Sequence, residues 1–133
     1  MTDIVTKINP DTLPDAGALG YSQVTTCEPG KLVFLSGQVA WTRDGGEVPS
    51  DMAGQAAIAF DNVKKALASV DATPDNVTSM RLYVVNLSPD NMAAAGGPLG
   101  AFFGGQAPCV TAIGVTSLAA PELLIEIEVT AVV

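Results

Sequence analysis

The stretch from Leu123 to Val132 alternates apolar and polar residues so regularly that it fixes the plan of the domain around it. Leu124, Glu126, Glu128 and Thr130 fall on one side of an extended chain, and Ile125, Ile127, Val129 and Ala131 on the other. A strand of this kind has one face that must be covered by helices and one that is bare sheet surface. The bare face also receives Val33 or Phe34, depending on register. Apolar residues there lead us to expect that copies of the chain associate through the sheet.

Earlier in the chain the signals are shorter. Ile4 to Ile8 alternates and stops at Asn9-Pro10, as a short edge strand does. Asp11 to Gly20, with Pro14 and two glycines, reads as loop. Tyr21 to Cys27 and Leu32 to Val39 read as two strands joined by the turn Glu28-Pro29-Gly30-Lys31, a hairpin. At Asp51 the period changes. Met52, Ala56, Phe60, Val63, Leu67 and Val70 recur at helical spacing, Ser50 or Asp51 can cap the first turn, and Pro74 marks the stop. Val77 to Leu87 is a further strand. Ser88-Pro89-Asp90 opens a second helix with Met92, Ala95, Leu99 and Phe102 facing a sheet. The run Gly96-Gly97-Pro98 is expected to break that helix, which restarts with Pro98 in its first turn. Strands near Val110 to Val115 and Leu123 to Val132 follow. This order predicts a single α+β domain spanning residues 1–133, a mixed, mostly antiparallel sheet with two helices on one face.

Composition narrows the chemistry. The chain has 133 residues, a formal net charge of −8 and only six Lys and Arg. Those six, Lys7, Lys31, Arg43, Lys64, Lys65 and Arg81, are scattered, so no nucleic-acid partner is expected. Histidine is absent, which removes the usual acid/base near neutral pH and the commonest metal ligand. Cys27 and Cys109 have no metal spacing and read as reduced, mostly buried thiols. No metal and no cofactor is expected. No signal-peptide pattern and no apolar run approaching the ~18 residues of a membrane span is present, so the expectation is a cytoplasmic protein with no membrane partner.

Several patches then stand in order along the chain: Gly20-Tyr21-Ser22-Gln23, Phe34-Leu35-Ser36-Gly37-Gln38-Val39, Gln55 with Asn62-Val63, Val77 to Leu87, and Pro108-Cys109-Val110-Thr111-Ala112-Ile113-Gly114-Val115 followed by Ile125 to Val132. Together they resemble the RidA/YjgF family. That resemblance implies a chorismate-mutase-like α+β domain assembled as a homotrimer, with three ligand clefts between subunits.

The resemblance also implies a site. Tyr21 would line the cleft and offer its hydroxyl, Ser36 and the backbone of Gly37 would bind a ligand oxygen, and Glu126 would position water. Val110 stands where the imine-hydrolysing members carry an arginine for the substrate carboxylate. Gly96 stands where many members have asparagine, and Ala112 where many have cysteine. Cys109 lies three residues from that place, out of phase, and its side chain is expected on the other side of the strand. Each residue also has a plainer reading: Tyr21 as a packing aromatic, Ser36-Gly37 as a strand end, Glu126 and Glu128 as solvated or interface carboxylates, Cys109 as a small buried apolar group, and Arg81 as half of a surface or interface ion pair.

The sequence therefore points first to an arginine-less trimer binding a small neutral or weakly charged metabolite. The alternative is an imine or enamine hydrolase that acts, through Glu126 and water, on a substrate without a carboxylate. Ribonuclease activity, a label some relatives carry, is disfavoured by the charge and the missing histidines.

Overall fold

The computed structural model describes residues 3–133. Its elements are β1 (Val5–Ile8), β2 (Val24–Cys27), β3 (Leu32–Gln38), α1 (Met52–Ala68), β4 (Val77–Val85), α2 (Pro89–Phe103), β5 (Cys109–Val115) and β6 (Ile125–Val132). Four strands form one sheet in the order β3-β6-β4-β5, and β1 pairs with β2 as a separate ribbon. Strand β6 runs antiparallel to both β3 and β4, whereas β4 and β5 are parallel. A parallel neighbour demands a long crossover, and α2 supplies it.

The period-2 pattern of β6 places its residues as the sequence requires. Ile125, Ile127, Val129 and Ala131 are buried in one core with Met80, Leu82 and Val84 of β4 and Ala56, Ala59, Phe60, Val63 and Leu67 of α1. Asp51 is the N-cap of α1 and accepts the Gly54 amide. Gln55 is fully buried and fully satisfied. Its Nε2 donates to the carbonyls of Pro49 (2.8 Å) and Glu122 (2.7 Å), and its Oε1 accepts from the Leu124 amide (2.8 Å). That one side chain ties the first turn of α1 to the start of β6. Among the described residues no helix is long and apolar enough to cross a membrane.

Four expectations need correction. The β2–β3 hairpin does not form: β2 pairs with β1, and β3 pairs with β6. The reason lies at the turn, where Lys31 exchanges backbone hydrogen bonds with Val133 at 2.8 and 3.0 Å and so commits β3 to the C-terminal strand. Val70 lies past the end of α1 and is exposed. Cys27, expected to be buried, is exposed at the end of β2 in the two-stranded ribbon. The second helix is also unbroken, with Pro98 inside it.

Continuity across Pro98 has a local cause. A residue before proline is pushed out of the helical region by its own Cβ and amide against the proline ring. Gly97 has no Cβ, so half of that clash is missing. Packing supplies the rest, since Phe102 packs on Phe60, the rings tilted by 40° with centroids 5.2 Å apart, and holds the second half of α2 on α1.

A Cβ added at Gly97 or at Gly100 would meet no atom within 4 Å beyond its chain neighbours. Gly100→Ala should therefore stabilise the fold by about 1 kcal/mol, roughly 3 °C in melting temperature. Gly97→Ala should give no gain, because its new methyl faces the Pro98 ring. Thermal melts of the two variants test this, and equal stabilisation at both positions would contradict the role assigned to Gly97.

Candidate functional site

The parallel register of β4 and β5 sets Met80 beside Val110 and Leu82 beside Ala112. Met80 and Leu82 point into the core, so Val110 and Ala112 share the helix-covered face of the sheet. Across from them α2 presents Met92, Gly96 and Leu99, spaced i, i+4 and i+7 along one stripe. The third side is the segment Leu19-Gly20-Tyr21, which leaves a short helical turn through Gly20 at φ +86°, a conformation that favours glycine. Buried Ala16 anchors it on one side. On the other, buried Ser22 donates its hydroxyl to the Ala107 carbonyl at 2.7 Å, and its amide donates to the Pro108 carbonyl at 3.1 Å.

These three elements enclose a cleft of about 520 Å³ lined by Leu19, Gly20, Tyr21, Leu82, Met92, Ala93, Gly96, Leu99, Val110 and Ala112. That volume lies in the range of small-molecule sites. Among the described residues no charged side chain lines it, and the only polar side chain is Tyr21, which is half-buried. Four of the residues singled out in the sequence, Tyr21, Gly96, Val110 and Ala112, meet here. Leu19, Leu82 and Ala93 were not anticipated as lining. Their membership follows from the β4–β5 register and the turn before Tyr21, neither of which leaves a local signal.

Ser36, Gly37 and Glu126 form a second group elsewhere. The pairing of β3 with β6 slips between Leu35 and Gln38, an irregularity that carries Ser36 and Gly37. The Glu126 side chain lies directly over Gly37: a Cβ there would be 2.6 Å from its carboxyl carbon. Ser36 is exposed and Glu126 half-buried. Beside them, Glu128 receives Arg81 Nη1 at 3.1 Å and the Tyr83 hydroxyl at 3.3 Å. The glutamates alternate with the core residues of β6, so this group occupies the open sheet face. Within one chain the sheet separates it from the cleft. Arg81 belongs to the open face too, paired with Glu128, so within one chain it does not reach Val110.

Cys109 does not line the cleft. Its amide donates to Thr25 Oγ1 at 3.0 Å, that hydroxyl donates to the sulfur at 3.0 Å, and the thiol faces the Gln23 carbonyl at 3.6 Å. The thiol thus fastens the start of β5 to the segment leading into β2. It acts on the cleft only by helping to hold the chain that carries Tyr21.

The resolved shifts in acidity lie at other places. The Thr42 hydroxyl and the Gly46 amide hold the Asp44 carboxyl below its ordinary pKa, and Asp61 beside Lys65 raises that ammonium. Neither Asp44 nor Lys65 lines the cleft. Among the described residues no three His, Cys, Asp or Glu side chains gather as a metal site.

The arrangement defines a class: a small α+β domain with a crossover helix roofing an uncharged cleft at the β4–β5 edge. Residues 14–133 match the family model described as Endoribonuclease L-PSP, and the chain belongs to that family, the RidA/YjgF group whose patches the sequence carries. It is similar to YyfB of Yersinia pestis, a protein of unknown function of the conserved Rid family, with a TM-score of 0.90 and 40% identity over 98% of this chain and 99% of that one. It is also similar to Rv2704 of Mycobacterium tuberculosis, a member of the YjgF/YER057c/UK114 family (TM-score 0.66, 29% identity, 97% of this chain and 99% of that one). Escherichia coli TdcF, crystallised with bound serine, gives a TM-score of 0.70 and 27% identity over 80% of this chain and 84% of that one.

Gly37→Ala tests the contact on the open face. A methyl there must displace Glu126, but the atoms it meets are the far end of a flexible side chain. The melting temperature should change by no more than a few degrees, while a crystal structure shows the carboxylate turned away from the β3 backbone. A carboxylate left in place, or an unfolded variant, would contradict the contact.

Proposed function

We propose that the protein is a homotrimer whose inter-subunit clefts bind a small neutral metabolite, and that it lacks the arginine required for deamination of 2-imino acids. The observation that carries this reading is the lining that one chain gives the cleft, which among the described residues offers one phenol hydroxyl and no charged side chain. A carboxylate placed there exchanges water for apolar walls with no cation in return, which costs several kcal/mol. The bidentate arginine–carboxylate contact that offsets such a cost has no counterpart at Val110. Serine, the amino acid bound to TdcF, carries a carboxylate, so the ligand class here is expected to differ from it.

Two observations support association of copies. Phe34 and Leu32 are 73% and 58% exposed on β3, an apolar surface of the kind that joins subunits. A site combining Tyr21 with Ser36, Gly37 and Glu126 also needs a second copy, since one chain holds them on opposite sheet faces. Light scattering should give a mass near three times 13.5 kDa at micromolar concentration, and a mass of one subunit would refute the trimer.

A second reading rests on Glu126 over Gly37 with the Ser36 hydroxyl beside it. In this reading water adds to the carbon of a neutral imine while Glu126 takes its proton and passes it to the nitrogen; the carbinolamine then collapses to a carbonyl, its hydroxyl proton moving through Glu126 to the nitrogen as the C–N bond breaks and ammonia leaves. Glu126→Ala separates the two: binding without turnover persists under the first, and turnover disappears while binding remains under the second.

Matched amides and carboxylates of equal size, compared by thermal shift, test the ligand class. The neutral compounds should stabilise the protein more. Preference for carboxylates that survives in about 0.5 M salt, where the Debye length is roughly 4 Å, would overturn the reading.

A further inference from the structure

We infer that Gly96 sets how long a ligand the cleft admits, so that the metabolite has an extended apolar body as well as one hydrogen-bonding end. This rests on the neutral-ligand reading and goes beyond it to the shape of the ligand. The stripe that α2 turns toward the cleft runs Met92, Gly96, Leu99, two large apolar side chains with nothing between them. A Cβ built at Gly96 would meet no atom within 4 Å beyond its chain neighbours and the backbone of its own helix. Gly96 has no positive φ either, so neither packing nor backbone conformation calls for glycine there. Gly97 and Gly100 of the same helix are equally open but do not line the cleft, whereas a Cβ at Gly114 on β5 would press on Leu87 at 3.1 Å. Glycine inside a helix is disfavoured against alanine, so the missing side chain at position 96 works against the helix. What it leaves is open volume, and that volume belongs to the cleft. Across the space, on β5, stands Ala112, the smallest side chain with a Cβ. Gly96 and Ala112 together open a channel between helix and sheet. A ligand whose polar end meets the Tyr21 hydroxyl lays its apolar part there.

The experiment is calorimetric titration of the full-length protein with straight-chain primary amides from propanamide to octanamide. Burial of each methylene should tighten binding by about fourfold until the chain meets the far wall. Gly96→Ala should end that rise about one methylene earlier. Gly96→Leu should end it several methylenes earlier, weakening the longest amides by tenfold or more while sparing the shortest. Gly100→Leu makes the same chemical change on the same helix, at a residue with no atom within 4 Å of its Cβ and outside the cleft lining. It should keep the wild-type profile, and melting temperatures of all three variants check that each is folded. A Gly96→Leu profile identical to wild type, or a Gly100→Leu profile shifted equally, overturns the gate and leaves the neutral-ligand reading standing. Failure of every amide to bind the wild-type protein overturns both.

Discussion

Strand β6 lies between β3 and β4 and hydrogen-bonds to both, so the larger sheet is assembled around it. Its register is enforced by chemistry. Ile125, Ile127, Val129 and Ala131 are at most 1% exposed, and a slip of one residue would carry Glu126 and Glu128 into the space they fill. Burying two unpaired carboxylates costs far more than the stability of a domain this size allows. Gln55 reinforces that register by fixing the Leu124 amide just before the strand begins. The same alternation that fixes the fold also divides the site. Every polar group that β6 contributes faces away from the helices, while the cleft opens on the helix side.

That division is why the chemistry of this chain cannot be read from a set of residue types alone. Tyr21, Val110, Gly96 and Ala112 belong to a mostly apolar cleft with one polar side chain, and Glu126, Ser36 and Gly37 form a polar patch on the open face. Neither half has the usual makeup of an active site. The scaffold is that of the Endoribonuclease L-PSP family, but a scaffold does not fix an activity, and the groups placed on it decide what it binds. Here the uncharged lining that one chain gives the cleft is what supports the proposal of an uncharged ligand.

Much of the fold was legible because long periodic segments carry their own evidence. The stripe of α1, the alternation of β6 and the strand character of β4 needed nothing beyond spacing. Pairing was less legible. Glu28-Pro29-Gly30-Lys31 has good turn chemistry, yet β3 is claimed by a strand almost a hundred residues away through Lys31 and Val133. Pro98 misled for a different reason: its cost is local, whereas the packing of Phe102 on Phe60 that outweighs it is tertiary. In the site, family resemblance located Tyr21, Gly96, Val110 and Ala112 at one place in space. The part played by Leu82 depends on a parallel register between strands joined by a whole helix, which no stretch of sequence records. The expected direction of the Cys109 side chain could be read from strand phase, but its partner Thr25 could not.

The claim on which the functional account depends is that the two half-sites meet between copies of the chain around an uncharged ligand. A crystal structure of the oligomer grown with a medium-chain primary amide tests it most directly. The ligand should lie against Tyr21 and Val110 of one subunit, with Glu126 of the partner subunit within hydrogen-bonding reach of its polar end or of a water beside it. An amide that contacts only one chain, or that sits away from the cleft between α2 and β5, would contradict the claim.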